Sequence, residues 1–173
     1  MKPILSLFII FIVFQFAHAQ ETINWMSFEE AEYKQAQEQK AVLVFMHTDW
    51  CGWCKRMQRE TFSNPTIISF INENFYAIDL DAEGADTILF KGQTFVNQNP
   101  GQKRQYHDLA KVLAQGRMSF PTVIYLDSQM NGITSVPGFF PPEKFEPVIN
   151  YYGTGAYRHS NWERYKEEFN GSL

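Results

Sequence analysis

Short apolar runs alternate along this chain with amphipathic segments, which is the pattern of a buried sheet covered by helices. Runs rich in β-branched or aromatic residues predict four strands, over 41–46, 75–80, 122–126 and 133–136. Helix signals predict helices over 27–39, from the first cysteine to about 61, after Pro65, over 104–115, from Pro141 to about 152, and around 162–169. No internal repeat or low-complexity linker divides the chain, so these elements predict a single α/β domain.

Two helix starts carry specific chemical signals. Ser27 followed three residues later by Glu30 is a capping box, and Asn64-Pro65 combines an N-cap residue with a proline at the first helical position. The signals fix where the first helix and the helix after residue 64 begin.

The tetrapeptide Cys51-Gly52-Trp53-Cys54 contains both cysteines and lies where the first predicted strand gives way to a helix. Two thiols three residues apart at a helix start can close a small disulfide and reopen it. The first thiol lies over unpaired N–H groups at the positive end of the helix dipole, which favours its thiolate. The pattern predicts thiol–disulfide exchange, with Cys51 as an exposed nucleophile and Cys54 as the resolving thiol that releases the substrate.

Two other interpretations of the cysteine pair stay open: half of a zinc site, or an inert structural disulfide. Zinc needs four ligands and usually draws them from a second pair. The histidines are scattered singly, at His18, His47, His107 and His159. We therefore expect neither a metal nor an organic cofactor.

Residues 1–19 have the composition of a secretory signal peptide. Lys2 supplies the positive n-region, residues 4–14 are apolar apart from one serine, and a small-x-small cleavage site ends at Ala19. The apolar run is shorter than the ~20 residues of a membrane span. We predict cleavage after Ala19, a domain over 20–173 and an exported, periplasmic protein. An uncleaved N-terminal anchor is the alternative.

Charge and cysteine content narrow the function classes. The chain has 15 Lys and Arg against 19 Asp and Glu, and its basic residues are not clustered as a nucleic-acid footprint requires. Exported proteins often carry structural disulfides. With only 2 cysteines, this chain has none to spare for that purpose, so the pair is expected to consist of working thiols.

The chain resembles the thioredoxin superfamily, and in particular its secreted bacterial thioredoxin-like members. The most specific motif is Trp50-Cys51-Gly52-Trp53-Cys54-Lys55 directly after a buried strand. Further motifs are Phe120-Pro121-Thr122 at the start of the third strand, Gly138 before the last core helix, and the stretches 61–65 and 72–75. The resemblance spans roughly residues 23–152.

The resemblance implies a thioredoxin fold: a central mixed sheet of about four to five strands flanked by helices, with an inserted segment before the cis-proline strand. It implies that Pro121 follows a cis bond and presents a backbone edge beside Cys51 on which an extended substrate pairs. An ordinary trans proline at a strand edge is the alternative. Trp50, Trp53 and Phe120 would offer apolar contacts to a partner protein, although Trp50 could equally be a packing residue.

One position departs from the family pattern. Thioredoxins have a buried carboxylate six residues before the first cysteine, and here that place holds Phe45. An apolar neighbour raises the pKa of a resolving thiol, so proton transfer needs another group. His47 and Asp49 are the candidates, with strand-end packing as the alternative for His47. His107 and His159 are predicted to be surface or packing residues.

The inserted segment, residues 82–116, is longer than the single short helix that thioredoxins usually place there. Its first part, 82–103, shows no clear period. Its second part predicts a helix that is stopped by Gly116 and that turns four side chains inward, Tyr106, Leu109, Val112 and Leu113. The segment either shapes a partner-specific groove or decorates an edge of the sheet.

These observations predict an exported, monomeric thiol–disulfide oxidoreductase that acts on protein thiols or disulfides and exchanges electrons with a membrane or periplasmic partner. The dipeptide Gly52-Trp53 matches neither the Gly-Pro of reducing thioredoxins nor the Pro-His of strong periplasmic oxidases. Because a large helical insertion typical of those oxidases is missing, the sequence favours a reductase or isomerase. The alternative is a non-enzymatic binding module that holds a periplasmic partner through its aromatic surface and the inserted segment.

Overall fold

The computed structural model describes residues 21–173; the predicted signal peptide over 1–19 lies outside these residues. The strands are β1 (Trp25–Met26), β2 (Ala41–His47), β3 (Phe75–Asp81), β4 (Ile88–Phe90), β5 (Gln93–Phe95), β6 (Thr122–Leu126) and β7 (Gly132–Pro137). Five of them form the central sheet in the order β1–β3–β2–β6–β7. β1, β3 and β2 run parallel, whereas β6 and β7 pair antiparallel. The predicted mixed sheet of four to five strands is confirmed.

The helices lie on both faces of this sheet. They are α1 (Phe28–Gln35), α2 (Gly52–Glu60), α3 (Pro65–Asn74), α4 (Asp108–Leu113), α5 (Pro142–Gly153) and α6 (Trp162–Glu168). Within residues 21–173, none of them combines the length and the apolar character that crossing a bilayer requires.

Both predicted helix starts have the expected caps. The side-chain oxygen of Ser27 accepts the backbone N–H of Glu30 at 3.1 Å. Asn64 Oδ1 accepts the N–H of Thr66 at 3.0 Å, next to a proline that has no N–H to satisfy. The polar signals in the sequence therefore place α1 and α3 correctly.

The central strand β2 separates two apolar layers. Leu43 and Phe45 pack with α2, α3 and α5 on one face, and Val42, Val44 and Met46 pack with α1 and α4 on the other. Successive side chains of a strand point to opposite faces, so a strand buried on both sides is a continuous apolar run. β2 therefore leads from the middle of the core straight to the cysteine pair.

The first part of the inserted segment contains a hairpin that the sequence pattern did not predict. β4 and β5 pair antiparallel across Lys91 and Gly92, whose φ angles are +51° and +73°. Positive φ at both central residues is the requirement of a type I′ turn, and Gly92 is the residue that could have indicated it. The ring of Phe90 packs on Phe28 of α1 with centroids 5.2 Å apart.

The helix predicted over 104–115 is shortened to α4. Arg104 has a φ of +61°, which is incompatible with a helix, and Nδ1 of His107 caps α4 by accepting the N–H of Leu109 at 3.2 Å. Leu109 is buried as predicted, but Val112 is 57% exposed. The expectation that Val112 points inward is wrong, because the helix starts later and exposes that face.

Candidate active site

The two cysteines lie where β2 runs out and α2 begins. The N–H of Cys51 donates to the carbonyl of Thr48 at 3.1 Å, which turns the chain after the strand. Cys51 is the N-cap residue of α2 and forms a disulfide with Cys54, their Cα atoms 5.3 Å apart. Its sulfur also accepts the backbone N–H of Cys54 at 3.0 Å. The sulfur thus accepts one of the N–H groups that have no partner within the helix, at the helix start where the sequence placed it.

The cysteines are less accessible than expected. Cys51 is 5% exposed and Cys54 is 1% exposed, so the prediction of an exposed Cys51 is wrong for the disulfide form. Both cysteines pack in the apolar cluster that includes Phe45 and Met57. The small exposed part of Cys51 is therefore bordered by other side chains, which a substrate must contact to reach its sulfur.

That surface is aromatic. Trp50 and Trp53 flank the cysteines and are each 56% exposed. Trp50 Nε1 donates to the Glu83 carboxylate at 2.8 Å, and its ring meets Phe120 edge-on at 5.8 Å. Trp50 therefore packs against its neighbours on one side and is exposed to solvent on the other. Exposed tryptophans of this kind are typical contact residues for protein partners.

The Phe120–Pro121 peptide bond is cis, as the family resemblance implied. The carbonyl of Pro121 already accepts the N–H of Gly138 at 2.8 Å. Within residues 21–173, the N–H and the carbonyl of Phe120 form no hydrogen bond with the protein. The free backbone edge of this turn is therefore at Phe120, and pairing of an extended substrate beside Pro121 stays a prediction.

A groove of about 320 Å³ lies between the CXXC helix and the cis-proline turn. It is lined by Trp53, Phe120, Pro121, Gly138 and Phe139. Trp53 packs on Phe139 with centroids 5.6 Å apart, which forms one side, and Phe120 forms the other. The lining of the groove is mostly apolar.

Three residues of this surface, Phe139, Arg56 and Glu83, were not predicted from the sequence. Phe139 lines the groove, and Arg56 lies 4.7 Å from its ring centroid and 5.4 Å from that of Trp53. Glu83 holds Trp50 from within the inserted segment. Phe139 follows the family glycine Gly138 and could have been included on that ground, whereas nothing local marks Glu83.

The candidate proton acceptors lie at the end of β2 and in the loop that follows it. Phe45 is fully buried among Trp25 and Phe62, so no carboxylate lies beneath the disulfide at that position. Nε2 of His47 lies 2.9 Å from Oδ1 of Asp79, and its ring stacks on Phe45 at 5.4 Å. His47 is therefore on the same face of the sheet as the cysteines, whereas Asp49 is exposed in the loop before them.

Charged neighbours raise the pKa of His47. Burial alone would lower its pKa, but the hydrogen bond and the charge of Asp79, with Asp81 and Asp49 nearby, raise the pKa of His47 above its ordinary 6.5. A raised pKa makes the imidazole a stronger proton acceptor, which keeps His47 as a candidate for that role.

We expect the Asp79→Asn variant to lose more stability at pH 5.5 than at pH 8.5, by about 0.5–1 kcal/mol. A histidine whose pKa is raised in the folded state stabilises the protein below its unfolded pKa, and that contribution is lost as pH rises through the folded value. Urea unfolding at the two pH values measures the difference. A loss of equal size at both would show that His47 and Asp79 do not form a charged pair.

Two of the other histidines, His107 and His159, lie within the described residues 21–173. His107 is 1% exposed, and its Nε2 lies 2.9 Å from the carbonyl oxygen of Asp86, so it is a packing residue, as one of its two predicted roles stated. His159 is exposed. In the part of the chain that the structure describes, no three or more His, Cys, Asp or Glu side chains are grouped as metal ligands.

The family model of the thioredoxin-like domain matches residues 28–153. This match covers most of the chain, and the chain belongs to the thioredoxin-like domain family. The family resemblance noted in the sequence is confirmed.

Two curated relatives are Dsb proteins. The chain is 28% identical over 130 residues to the thiol:disulfide interchange protein DsbD of Photorhabdus laumondii, across 74% of this chain and 19% of that protein. It is 25% identical over 125 residues to the disulfide bond reductase DsbH of Chlamydia pneumoniae, across 71% of this chain and 67% of that protein. An uncharacterized protein of Caenorhabditis elegans is 22% identical over 148 residues, 85% of this chain and 18% of its own length. The match thus spans less than a fifth of the C. elegans and P. laumondii proteins.

Two solved structures share the fold. A DsbH oxidoreductase superposes with a TM-score of 0.55 at 18% identity, over 77% of this chain and 85% of its own. A thioredoxin-fold protein from Helicobacter pylori superposes with a TM-score of 0.58 at 17% identity, over 88% of this chain and 89% of its own.

Proposed function

We propose that this protein is a thiol–disulfide oxidoreductase that reduces or isomerises disulfides of exported proteins through Cys51 and Cys54. The observation that carries the proposal is a disulfide at the N-terminus of α2 in a thioredoxin-like domain, with an apolar groove between the neighbouring Trp53 and the cis-proline turn. The similarity to the disulfide bond reductase DsbH of C. pneumoniae supports the reducing direction.

The exchange proceeds in two steps, formation of a mixed disulfide and its resolution. The thiolate of reduced Cys51 attacks one sulfur of a substrate disulfide, which forms a mixed disulfide and releases the other substrate sulfur as a thiolate. The thiolate of Cys54 then attacks the Cys51 sulfur, which closes the Cys51–Cys54 disulfide and releases the second substrate thiol. Two electrons pass from the enzyme to the substrate, and an external dithiol protein must return them.

Substrate binding uses the groove and the free backbone of Phe120. An extended segment can pair with the N–H and carbonyl of Phe120 as a short added strand, while a side chain enters the groove between Phe120 and Phe139. This arrangement brings a substrate cysteine to the covered sulfur of Cys51.

Export is part of the proposal. The charged start, the apolar run over 4–14 and the small-x-small site ending at Ala19 support a cleaved signal peptide and a periplasmic location. We propose that the protein acts there as a monomer and receives electrons from a membrane or periplasmic dithiol partner.

The reduction potential of the Cys51–Cys54 couple tests the proposed direction. We expect a value between that of thioredoxin, about −270 mV, and that of protein disulfide isomerase, about −180 mV. Equilibration with glutathione buffers and separation of the thiol-labelled forms gives the potential. A value near −120 mV, that of a strong oxidase, would contradict the reductase or isomerase assignment.

A further inference from the structure

The two sides of the substrate groove are built differently. The side formed by Trp53 and Phe139 comes from the CXXC helix and the turn before α5. The other side is the ring of Phe120, which contacts Tyr106 of the inserted segment and Trp50. The second side therefore depends on a part of the chain that is distant in sequence from the cysteines.

Glu83 connects Trp50, on this second side, to the backbone of the inserted segment. Its Oε2 accepts Trp50 Nε1 at 2.8 Å and its Oε1 accepts the backbone N–H of Arg104 at 2.7 Å. The backbone of Glu83 is itself fixed, since its N–H donates to Asp81 Oδ1 at 2.9 Å and its carbonyl accepts Asn97 Nδ2 at 3.1 Å. One carboxylate thus links the tryptophan before the nucleophile to the loop that carries Tyr106.

Tyr106 supports the same side of the groove through its contact with Phe120. Its ring lies 5.5 Å from that of Phe120, which in turn meets Trp50 at 5.8 Å with the planes nearly perpendicular. The neighbouring carbonyl of Gln105 accepts Asn97 Nδ2 at 2.9 Å, so the side-chain amide that holds Glu83 also holds the backbone next to Tyr106. Phe120 is therefore supported on two sides before any substrate arrives.

We propose that Glu83 and Tyr106 are positioning residues that determine substrate selectivity, by holding Trp50 and Phe120 so that the groove accepts an apolar side chain next to the substrate cysteine. The proposal rests on the proposed function and assigns a role to the inserted segment. A wall whose side chains are already ordered does not lose their rotamer entropy on binding, so the contact energy of an aromatic substrate residue is retained as affinity. If the side chains of this wall are mobile, ordering them on binding lowers the affinity for the aromatic substrate. A substrate with glycine at the same position does not contact the wall, so its affinity should not change.

The test compares two disulfide-bonded peptides that differ only in phenylalanine or glycine directly before the cysteine. The measured quantity is the ratio of their kcat/KM values. We expect the wild type to prefer the phenylalanine peptide and the Glu83→Gln and Tyr106→Ala variants to lose about three- to tenfold of that preference, mainly through KM. Tyr106→Phe retains the ring that contacts Phe120 and should restore the wild-type ratio.

Glu29 provides the matched control. Its carboxylate accepts the backbone N–H of Leu89 at 2.8 Å, so it also anchors the inserted segment through a carboxylate, but at the hairpin that packs on α1. Glu29→Gln should retain the wild-type ratio. Wild-type selectivity in folded Glu83→Gln, or an equal loss in Glu29→Gln, would overturn the proposal. Glu83→Gln decides the result if Tyr106→Ala does not fold, as judged by thermal melting.

A binding measurement separates this proposal from the proposed function. Peptides with serine in place of cysteine cannot react, and their dissociation constants are measured by tryptophan fluorescence. If the wild type shows no turnover, the proposed function fails, yet the ratio of the two dissociation constants still decides the positioning role. Loss of that ratio in Glu83→Gln supports the role, and its retention overturns it.

Discussion

We expect the Cys51→Ser variant to lose insulin-reducing activity by at least ~10³-fold, down to the background of the reductant alone. Serine cannot form a disulfide, so both the attack on the substrate and the closing step are removed. The hydroxyl is close to the thiol in size, so the fold around the N-terminus of α2 should be retained. Turbidity of precipitating insulin chains in the presence of dithiothreitol measures the rate.

Glu29→Gln supplies a control for this experiment, because Glu29 anchors the hairpin that packs on α1 and takes no part in the exchange. This variant should retain the turnover of the wild type. A Cys51→Ser variant with substantial activity would mean that the chain acts as a redox enzyme through Cys54 alone. Absence of activity in the wild type would favour the non-enzymatic binding module.

The second large effect concerns Phe45. We expect Phe45→Asp to lower the free energy of unfolding by at least about 3–5 kcal/mol, the usual cost of emptying the site of a large buried aromatic residue. Phe45 is fully buried and contacts Trp25, His47 and Phe62. The introduced carboxyl group adds a pH dependence, because desolvation raises its pKa in the folded state. Stability should therefore fall further as pH rises from 5 to 8.

Urea unfolding at both pH values measures the effect, and Phe45→Leu is the control. Leucine keeps an apolar side chain and should cost less, without the added pH dependence. A Phe45→Asp variant as stable as the wild type would mean that residue 45 does not lie in the core beneath the disulfide. If His47 is the working proton acceptor, release of the mixed disulfide should be unchanged in folded Phe45→Asp and slower in His47→Ala.

Much of the fold was predictable because its determinants are local. The apolar run of β2 and the strand β6 over 122–126 are continuous in sequence, and the caps at Ser27 and Asn64 lie within a few residues of the N–H groups that they satisfy. The cysteine pair was located for the same reason. A motif that combines a strand end, a helix start and two thiols carries its chemistry within a few residues.

The remaining features depend on contacts between distant residues. β1 has only two residues, and its place beside β3 follows from pairing across some fifty positions, Trp25 with Ala77. The burial of Cys51 depends on packing around the disulfide, and the tie from Glu83 to Trp50 joins residues 33 positions apart. No local period encodes such contacts. The support that Tyr106 of the inserted segment gives to Phe120 is likewise a contact that the sequence alone could not predict.

The central claim is that Cys51 attacks and Cys54 resolves, and mass spectrometry of trapped intermediates tests it most directly. Reduced Cys54→Ser and Cys51→Ser proteins are mixed with a disulfide-bonded peptide and quenched with acid. Without the resolving thiol the mixed disulfide has no fast exit, so Cys54→Ser should carry one peptide attached to Cys51 on most molecules. Cys51→Ser should carry little, because Cys54 is 1% exposed in the disulfide form. Equal adducts on both variants, or none on Cys54→Ser, would contradict the account.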